Sequence, residues 1–167
     1  DNVVASSTHG WVNCWSPTEH VWFGGNLSNG TGSFGAIGGE YLCNLWVDNE
    51  DYMASAEQQV TFVDNTDHTL DFDLVERSAT LTVNVKDQDN NLVTNADGWV
   101  YAHDPNGGWT DTRMDSSGVT ELRLAPGSYF AGVWFDFNEQ YISTHGHEAP
   151  VTLEENGTAT KTVTVFG

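Results

Sequence analysis

Basic residues are scarce: five Lys and Arg stand against 24 Asp and Glu in 167 residues, a formal net charge of −19. Nothing here could neutralise a run of phosphates, which argues against a nucleic-acid partner, and a basic face for anionic lipid is equally lacking. No apolar run approaches the roughly 18 residues of a membrane helix, so no membrane insertion is expected. No signal-peptide pattern opens the chain, and "DNVVASS" reads as a processed start. Nucleophile motifs, phosphate-cradling loops and zinc spacings are also missing. Carboxylates are plentiful, but a sequence alone does not pair two of them across a cleft. The expectation is a protein that is not an enzyme and has no cofactor. The acidic excess itself reads as solubility by charge, in a salty or calcium-containing medium.

The chain does contain a repeat. "GEYLCNLWVD" at residues 39–48 returns as "GSYFAGVWFD" at residues 127–136, and 127 − 39 gives an offset of 88. That offset sets Gly10, Trp11 and Val12 on Gly98, Trp99 and Val100, Pro17 on Pro105, and Gly30 on Gly118. Beyond Asp48 it grows to 91, placing Val60 and Thr61 on Val151 and Thr152. Self-similarity at a fixed spacing means two copies of one unit.

Each copy reads as short strands. "ATLTVNV", "VTELRL", "TKTVTVF" and "TLDFDLV" alternate with period two, and turn signals such as "DQDNN", "DPNGG", "DSSG" and "APG" divide them. "EDYMASAEQQ" has room for one helical turn at most. The fold class expected is all-β: two tandem small antiparallel β-sandwiches, residues 1–77 and 78–167, with the boundary near residues 76–78.

In the second copy "VKDQDNNLVTNADGWVYA", "GGWTDTRMDSSGVTELRLAPGSYFAGVW" and "APVTLEENGTATKTVTV" follow in that order. This layout resembles the carboxypeptidase regulatory-like domain of transthyretin-like (prealbumin) topology over residues 79–167, and more loosely over 10–75. The resemblance implies prealbumin-like sandwiches and a non-catalytic spacer, adhesive or accessory role on secreted and surface proteins, with no active site. Related collagen-adhesin B-type domains often carry a Lys–Asn isopeptide. The first copy has no Lys, and Val85 stands where the second would need one, so no such crosslink is expected.

The two cysteines, Cys14 and Cys43, fall on Ala102 and Ala131 and share the inward phase of Val12, Tyr41 and Leu45. Two small core sites replaced together imply a disulfide, hence an oxidising, extracellular or cell-surface location; two buried free thiols are the alternative.

Alternation sends the tryptophans outward. Trp11 and Trp46, like Trp99 and Trp134, form an outward pair in each copy, with Tyr101 in phase with Trp99. Such pairs pack under a loop or sister unit, form a contact between subunits, or stack on sugar rings. Trp22 and Trp109 sit one residue out of register in turn-rich stretches, which makes them candidates for a loop-borne ligand site or loop anchors.

Asp87, Asp89 and Asn91 have a spacing able to present oxygens to Ca²⁺, though without an EF-hand's glycine and distal Glu; an ordinary turn is the plainer reading. His145 and His147, with His103, are a weaker transition-metal set. Asn26, Asn29 and Asn156 head permitted glycosylation triplets.

One strand is missing. "ATLTVNVKD" opens the second copy, but its counterpart at −88 falls before Asp1, so the first copy lacks its opening strand. Either the chain is cut from a longer array, or the strand arrives from a neighbouring subunit, or the N-terminal residues fill the gap. Residues 160–166 alternate cleanly enough to donate, or to close their own unit. The partners expected are copies of the chain or adjacent repeats. The function expected is a structural module of an extracellular surface protein or fibre; the alternative is a carbohydrate-binding module using its exposed tryptophans.

Overall fold

The period-2 segments of the second repeat become seven strands in the computed structural model, which describes residues 6–105, 108–136, 140–142 and 149–167. The chain divides after Glu76 into two compact units, the second holding Arg77–Pro105 and Trp109–Gly167. Each is taken by itself.

In the second unit one sheet has the order β10 (Val119–Leu124), β7 (Ala79–Lys86), β13 (Thr158–Thr164). The other runs β12 (Val151–Leu153), β11 (Gly127–Phe135), β8 (Gly98–His103), β9 (Trp109–Arg113). Strand β7 is central to the core. Its Ala79, Leu81, Val83 and Val85 are buried, and Thr80, Thr82, Asn84 and Lys86 alternate with them on the other face. Against these lie Val100, Ala102, Leu122, Leu124, Val133, Leu153 and Val163. Burying each Leu or Val contributes about 1.5–3 kcal/mol, so β7 alone brings several such contributions. One pairing departs from the expected antiparallel pattern. β13 runs parallel to β7, because the chain reaches it from β12 in the opposite sheet and not through a hairpin. Residues 160–166 therefore sit in their own unit, with Val163 and Val165 buried, and are not a free donor.

The first unit repeats only one of these sheets in full. Its order is β2 (Trp22–Leu27), β1 (Gly10–Trp15), β3 (Gly39–Val47), β5 (Gln58–Phe62). Rung matches rung: Trp11 faces Trp46 as Trp99 faces Trp134, and Cys14 faces Cys43 as Ala102 faces Ala131. Cys14 and Cys43 are joined in a disulfide. Gly30 and Gly118 occupy the same left-handed turn, with φ of 79° and 78°.

Besides this sheet the described residues of the first unit form a two-stranded ladder, β4 (Tyr52–Ala54) with β6 (Leu74–Glu76). No strand precedes β1 among the described residues. Residues 32–36, the counterparts of β10, and residues 67–73, the counterparts of β13, form no strand. "TLDFDLV" thus becomes a strand only at its end, although it alternates well. A strand needs a partner for its ladder, and the partner here is the counterpart of β7. "EDYMASAEQQ" holds β4 and the start of β5 in place of a helical turn.

Candidate functional site

Among the described residues no strand lies between residues 30–36 and 63–74 of the first unit, and a groove runs there. One wall is residues 30–36 and the other residues 63–74, with Val12, Leu45 and Phe62 beneath; the cavity measures about 760 Å³. Its lining residues Phe34 and Phe62 belong to a cluster of rings. Phe23 lies 4.7 Å from Tyr41 and 5.7 Å from Phe34, and Tyr41 lies 5.6 Å from Phe62, centroid to centroid. Along the second wall Leu70, Phe72 and Leu74 are half-buried, while Asp71, Asp73 and Val75 point to water. Side chains here alternate as in a strand, although residues 67–73 form none. Its ends are held locally: Gly38 N–H donates to Asp64 Oδ1 at 2.8 Å, and Val63 N–H to His68 Nε2 at 3.0 Å.

The two units differ in the polar contact of one matched tyrosine. In the second unit the Tyr129 hydroxyl donates to the Ala125 carbonyl at 2.8 Å, just past the end of β10. Burial, helped by nearby Asp104 and opposed by Arg77, pushes that phenol up to about 12. Its counterpart Tyr41 is only 1% exposed, yet its hydroxyl has no hydrogen-bond partner among the described residues. The residue that matches Ala125 is Ile37, which is 60% exposed.

The second candidate is the outer face of the four-stranded sheet in the second unit. Three rungs cross it: Arg113–Trp99–Trp134, Asp111–Tyr101–Gly132 and Trp109–His103–Phe130. Trp109 stacks on Tyr101 at 4.6 Å and 11°, and His103 stacks between Trp109 and Phe130. Burial raises the Tyr101 phenol. The Arg113 guanidinium lies 5.2 Å above the Trp99 ring and pairs with Asp136 at 2.9 Å. Between Trp99, Trp109 and Trp134 a shallow cavity of about 280 Å³ opens, with the Asp111 carboxylate at its side. Such a face offers apolar ring surfaces beside a hydrogen-bond acceptor.

Sequence order had separated these groups. Trp109 opens β9 and is not loop-borne; it lies on the face of Trp99 and Trp134 because it pairs with His103. Trp22 opens β2 likewise, opposite Trp15. These two positions are equivalent at an offset of 87, since the β1–β2 connection is one residue longer than β8–β9. On the first unit's outer face Trp11 pairs with Trp46, and the Trp11 indole nitrogen lies close over Gly24. Trp15, Trp22 and Trp46 are exposed there.

The calcium candidates form a turn. Both oxygens of Asp87 accept from Asn91, Oδ1 from its backbone N–H at 2.8 Å and Oδ2 from its side-chain amide at 3.2 Å, while Asp89 N–H also reaches Oδ1. Those bonds, first of all the Asn91 backbone N–H, hold the Asp87 carboxyl below the usual carboxylate range. His103 serves in the aromatic stack, and His145 and His147 lie outside the described residues. No group of three metal-ligating side chains stands together among the described residues. Asn26, Asn29 and Asn156 are all exposed, Asn26 directly across the strand pair from Trp11. Sequence reasoning missed the groove residues Phe34, Leu70 and Phe72. The offsets of 88 and 91 would have found two of them, since they set Phe34 on Leu122 and Phe72 on Val163.

No protein-family model matches the chain, and no curated protein matches it. The resemblance to carboxypeptidase regulatory-like domains therefore rests on the order of its motifs. Three solved structures are similar over nearly the whole chain. The Bacillus anthracis TIE protein is 14% identical with a TM-score of 0.43, over 96% of this chain and 31% of that one. GBS52, the minor pilin of Streptococcus agalactiae, is 15% identical with a TM-score of 0.42, over 96% of this chain and 82% of that one. A streptococcal ancillary pilin is 13% identical with a TM-score of 0.40, over 95% and 61%. At these scores the likeness carries no conclusion about what this chain does.

Proposed function

We propose that the chain is a non-catalytic structural module of an extracellular surface protein or fibre, joined to its neighbours by β-strand complementation between subunits. One observation carries this reading. The first unit reproduces the second unit's four-stranded sheet rung by rung, yet among the described residues no strand stands at the middle of an opposing sheet, and a groove runs there. Open ladders pair readily with another chain, and a strand added in this way is bound by main-chain hydrogen bonds along its length. The disulfide fits an oxidising exterior, and the charge of −19 opposes indiscriminate clumping while leaving a specific joint free to form. The partners are copies of the chain or adjacent repeats, and no metal or cofactor takes part.

The test is the solution mass of the unreduced protein by size exclusion with light scattering across a wide concentration range. Assemblies that grow with concentration support the reading; a strict monomer at every concentration overturns it. A second reading is favoured by the stacked Trp109–Tyr101 pair beside Asp111. Such a face suits the apolar side of a pyranose ring, making the chain a carbohydrate-binding module. Saturable changes in tryptophan fluorescence with soluble glycans, lost in Trp109→Ala, would select it.

A further inference from the structure

We propose that the hollow between Trp99, Trp109 and Trp134 on the outer face of the second unit binds a quaternary ammonium solute of the choline type. The rings meet its methyl groups, and the Asp111 carboxylate meets its charge. This goes beyond the fibre reading above and needs no assembly.

Strand register builds the hollow. Trp99 and Trp134 share one rung of the outer face, Trp109 stands on the rung of His103, and the outer rung between them is Asp111–Tyr101–Gly132. Gly132 brings no side chain to that middle rung, and Tyr101 lies nearly covered against the stacked Trp109. Trp99, Trp109 and Trp134 remain 40%, 47% and 57% exposed, so their ring surface is open to a ligand. The space measures about 280 Å³ and is lined by these four aromatic residues and Asp111. Pockets for drug-sized ligands start at roughly 300 Å³, so this one suits a single small group.

The lining selects a cation. Aromatic faces carry the negative side of the ring quadrupole and attract a cation within about 6 Å of the centroid. The chain already uses one of these rings in this way, with the Arg113 guanidinium 5.2 Å from the Trp99 centroid. Arg113 is balanced by Asp136 at 2.9 Å and Asp97 at 3.7 Å. Asp111 is the charged residue of the lining, and the Trp109 indole N–H donates to its Oδ2 at 3.4 Å, which ties the carboxylate to the hollow. The net charge of −19 adds a general attraction for cations.

Methylation of the cation follows from the same lining. A lysine ammonium brings three N–H donors and an arginine guanidinium five, and each donor taken from water without an acceptor costs free energy. The hollow offers one carboxylate at its side and ring surfaces elsewhere. A quaternary nitrogen has no N–H to satisfy, and its methyl groups pack on rings while its charge stays on their negative faces. A pyranose is served less well, because each hydroxyl around its rim needs a partner once desolvated. A phosphate beside the nitrogen would be repelled by Asp111 and by the acidic chain, which favours a choline-like solute over a phospholipid headgroup.

The probe is choline, added to the intact disulfide-bonded protein. Its control is the uncharged carbon isostere, in which a tert-butyl group replaces trimethylammonium. A saturable change in tryptophan fluorescence and an upfield shift of the choline N-methyl protons are expected, with clearly weaker binding of the isostere. Trp134→Ala should weaken choline binding roughly 2- to 30-fold, the range of one cation–π contact. Asp111→Asn should weaken it by up to about 5-fold, as for an exposed ion pair. Both side chains lie on the surface, and circular dichroism checks that each variant keeps the fold.

No response at about 50 mM choline, far above a millimolar dissociation constant, overturns the site. Equal binding by the isostere overturns it too, since the hollow would then be a plain apolar patch. So does unchanged affinity in both variants. Soluble glycans that move the same tryptophans where choline does not would overturn it in favour of the carbohydrate reading. Sedimentation with phosphatidylcholine vesicles that choline does not release would overturn it in favour of a lipid surface. Light scattering is indifferent to each of these results, so the fibre reading stands or falls apart from this site.

Discussion

Removing the Cys14–Cys43 bridge isolates the value of a cross-link with little collateral change, because the molecule contains its own control. Ala102 faces Ala131 where Cys14 faces Cys43. The bridge spans a sequence separation of 29. Loop-closure entropy for that length gives roughly 3.6 kcal/mol at 25 °C. The two vacated sulfur sites add roughly 0.5–1 kcal/mol each at about 24 cal/mol per Å³. Cys14→Ala/Cys43→Ala should therefore lose about 4.6–5.6 kcal/mol in the first unit. For a domain of this size that lowers the melting temperature by roughly 20–45 °C. Denaturant titration read by amide exchange at Val12, Tyr41 and Val47 follows this unit by itself, where tryptophan fluorescence mixes both. A loss under about 1 kcal/mol would refute the reasoning, since the unfolded chain would then gain no freedom when the bridge goes.

Three further outcomes are expected. Tyr129 should titrate near 12 by ultraviolet absorbance; a folded value above the unfolded one of about 10 means its contribution to stability is whole below pH 10 and fades between pH 10 and 12. Tyr129→Phe should remove that alkaline fade and cost about 0.5–1.5 kcal/mol for the bond to Ala125, measured by denaturant titration. Gly118→Ala, at φ 78° with a Cβ only 2.6 Å from the Val93 carbonyl oxygen, should destabilise the second unit by about 1–3 kcal/mol in calorimetry. Asp87 and Asp115 are held low chiefly by backbone N–H bonds, from Asn91 and Ser117. The stability they lend is present above about pH 4 and is lost as pH falls through their folded values; in denaturant titrations across that range Asp87→Asn should remove the Asp87 share and leave that of Asp115.

Local pattern made much of this legible. The offset of 88 carried the cross-strand pairs because equal spacing in two copies preserves rungs, and alternation alone sent Cys14 inward and Trp46 outward. Three features were hidden because they depend on what lies far away in the chain. "TLDFDLV" has the phase of a strand but not the partner, and only the partner makes the hydrogen bonds. β13 looks locally like any other strand, and its parallel sense comes from the crossing between sheets. Trp109 joined Trp99 and Trp134 through the β8–β9 register, which one residue of difference in a connection had shifted out of the offset.

The bridge between β1 and β3 also governs how the first unit would carry load. A pull on the chain ends passes from Cys14 to Cys43 through sulfur, so residues 15–42 bear none of it. Those 28 residues, the separation of 29 less one, hold back about 100 Å of contour length at 3.3–3.6 Å each. Strand β2 and the groove wall at residues 31–36 lie inside this sheltered loop; the wall at residues 67–73 lies outside it. Under tension one side of the groove is a fixed anvil and the other a yielding lip, so the groove would open from the side of residues 67–73 first.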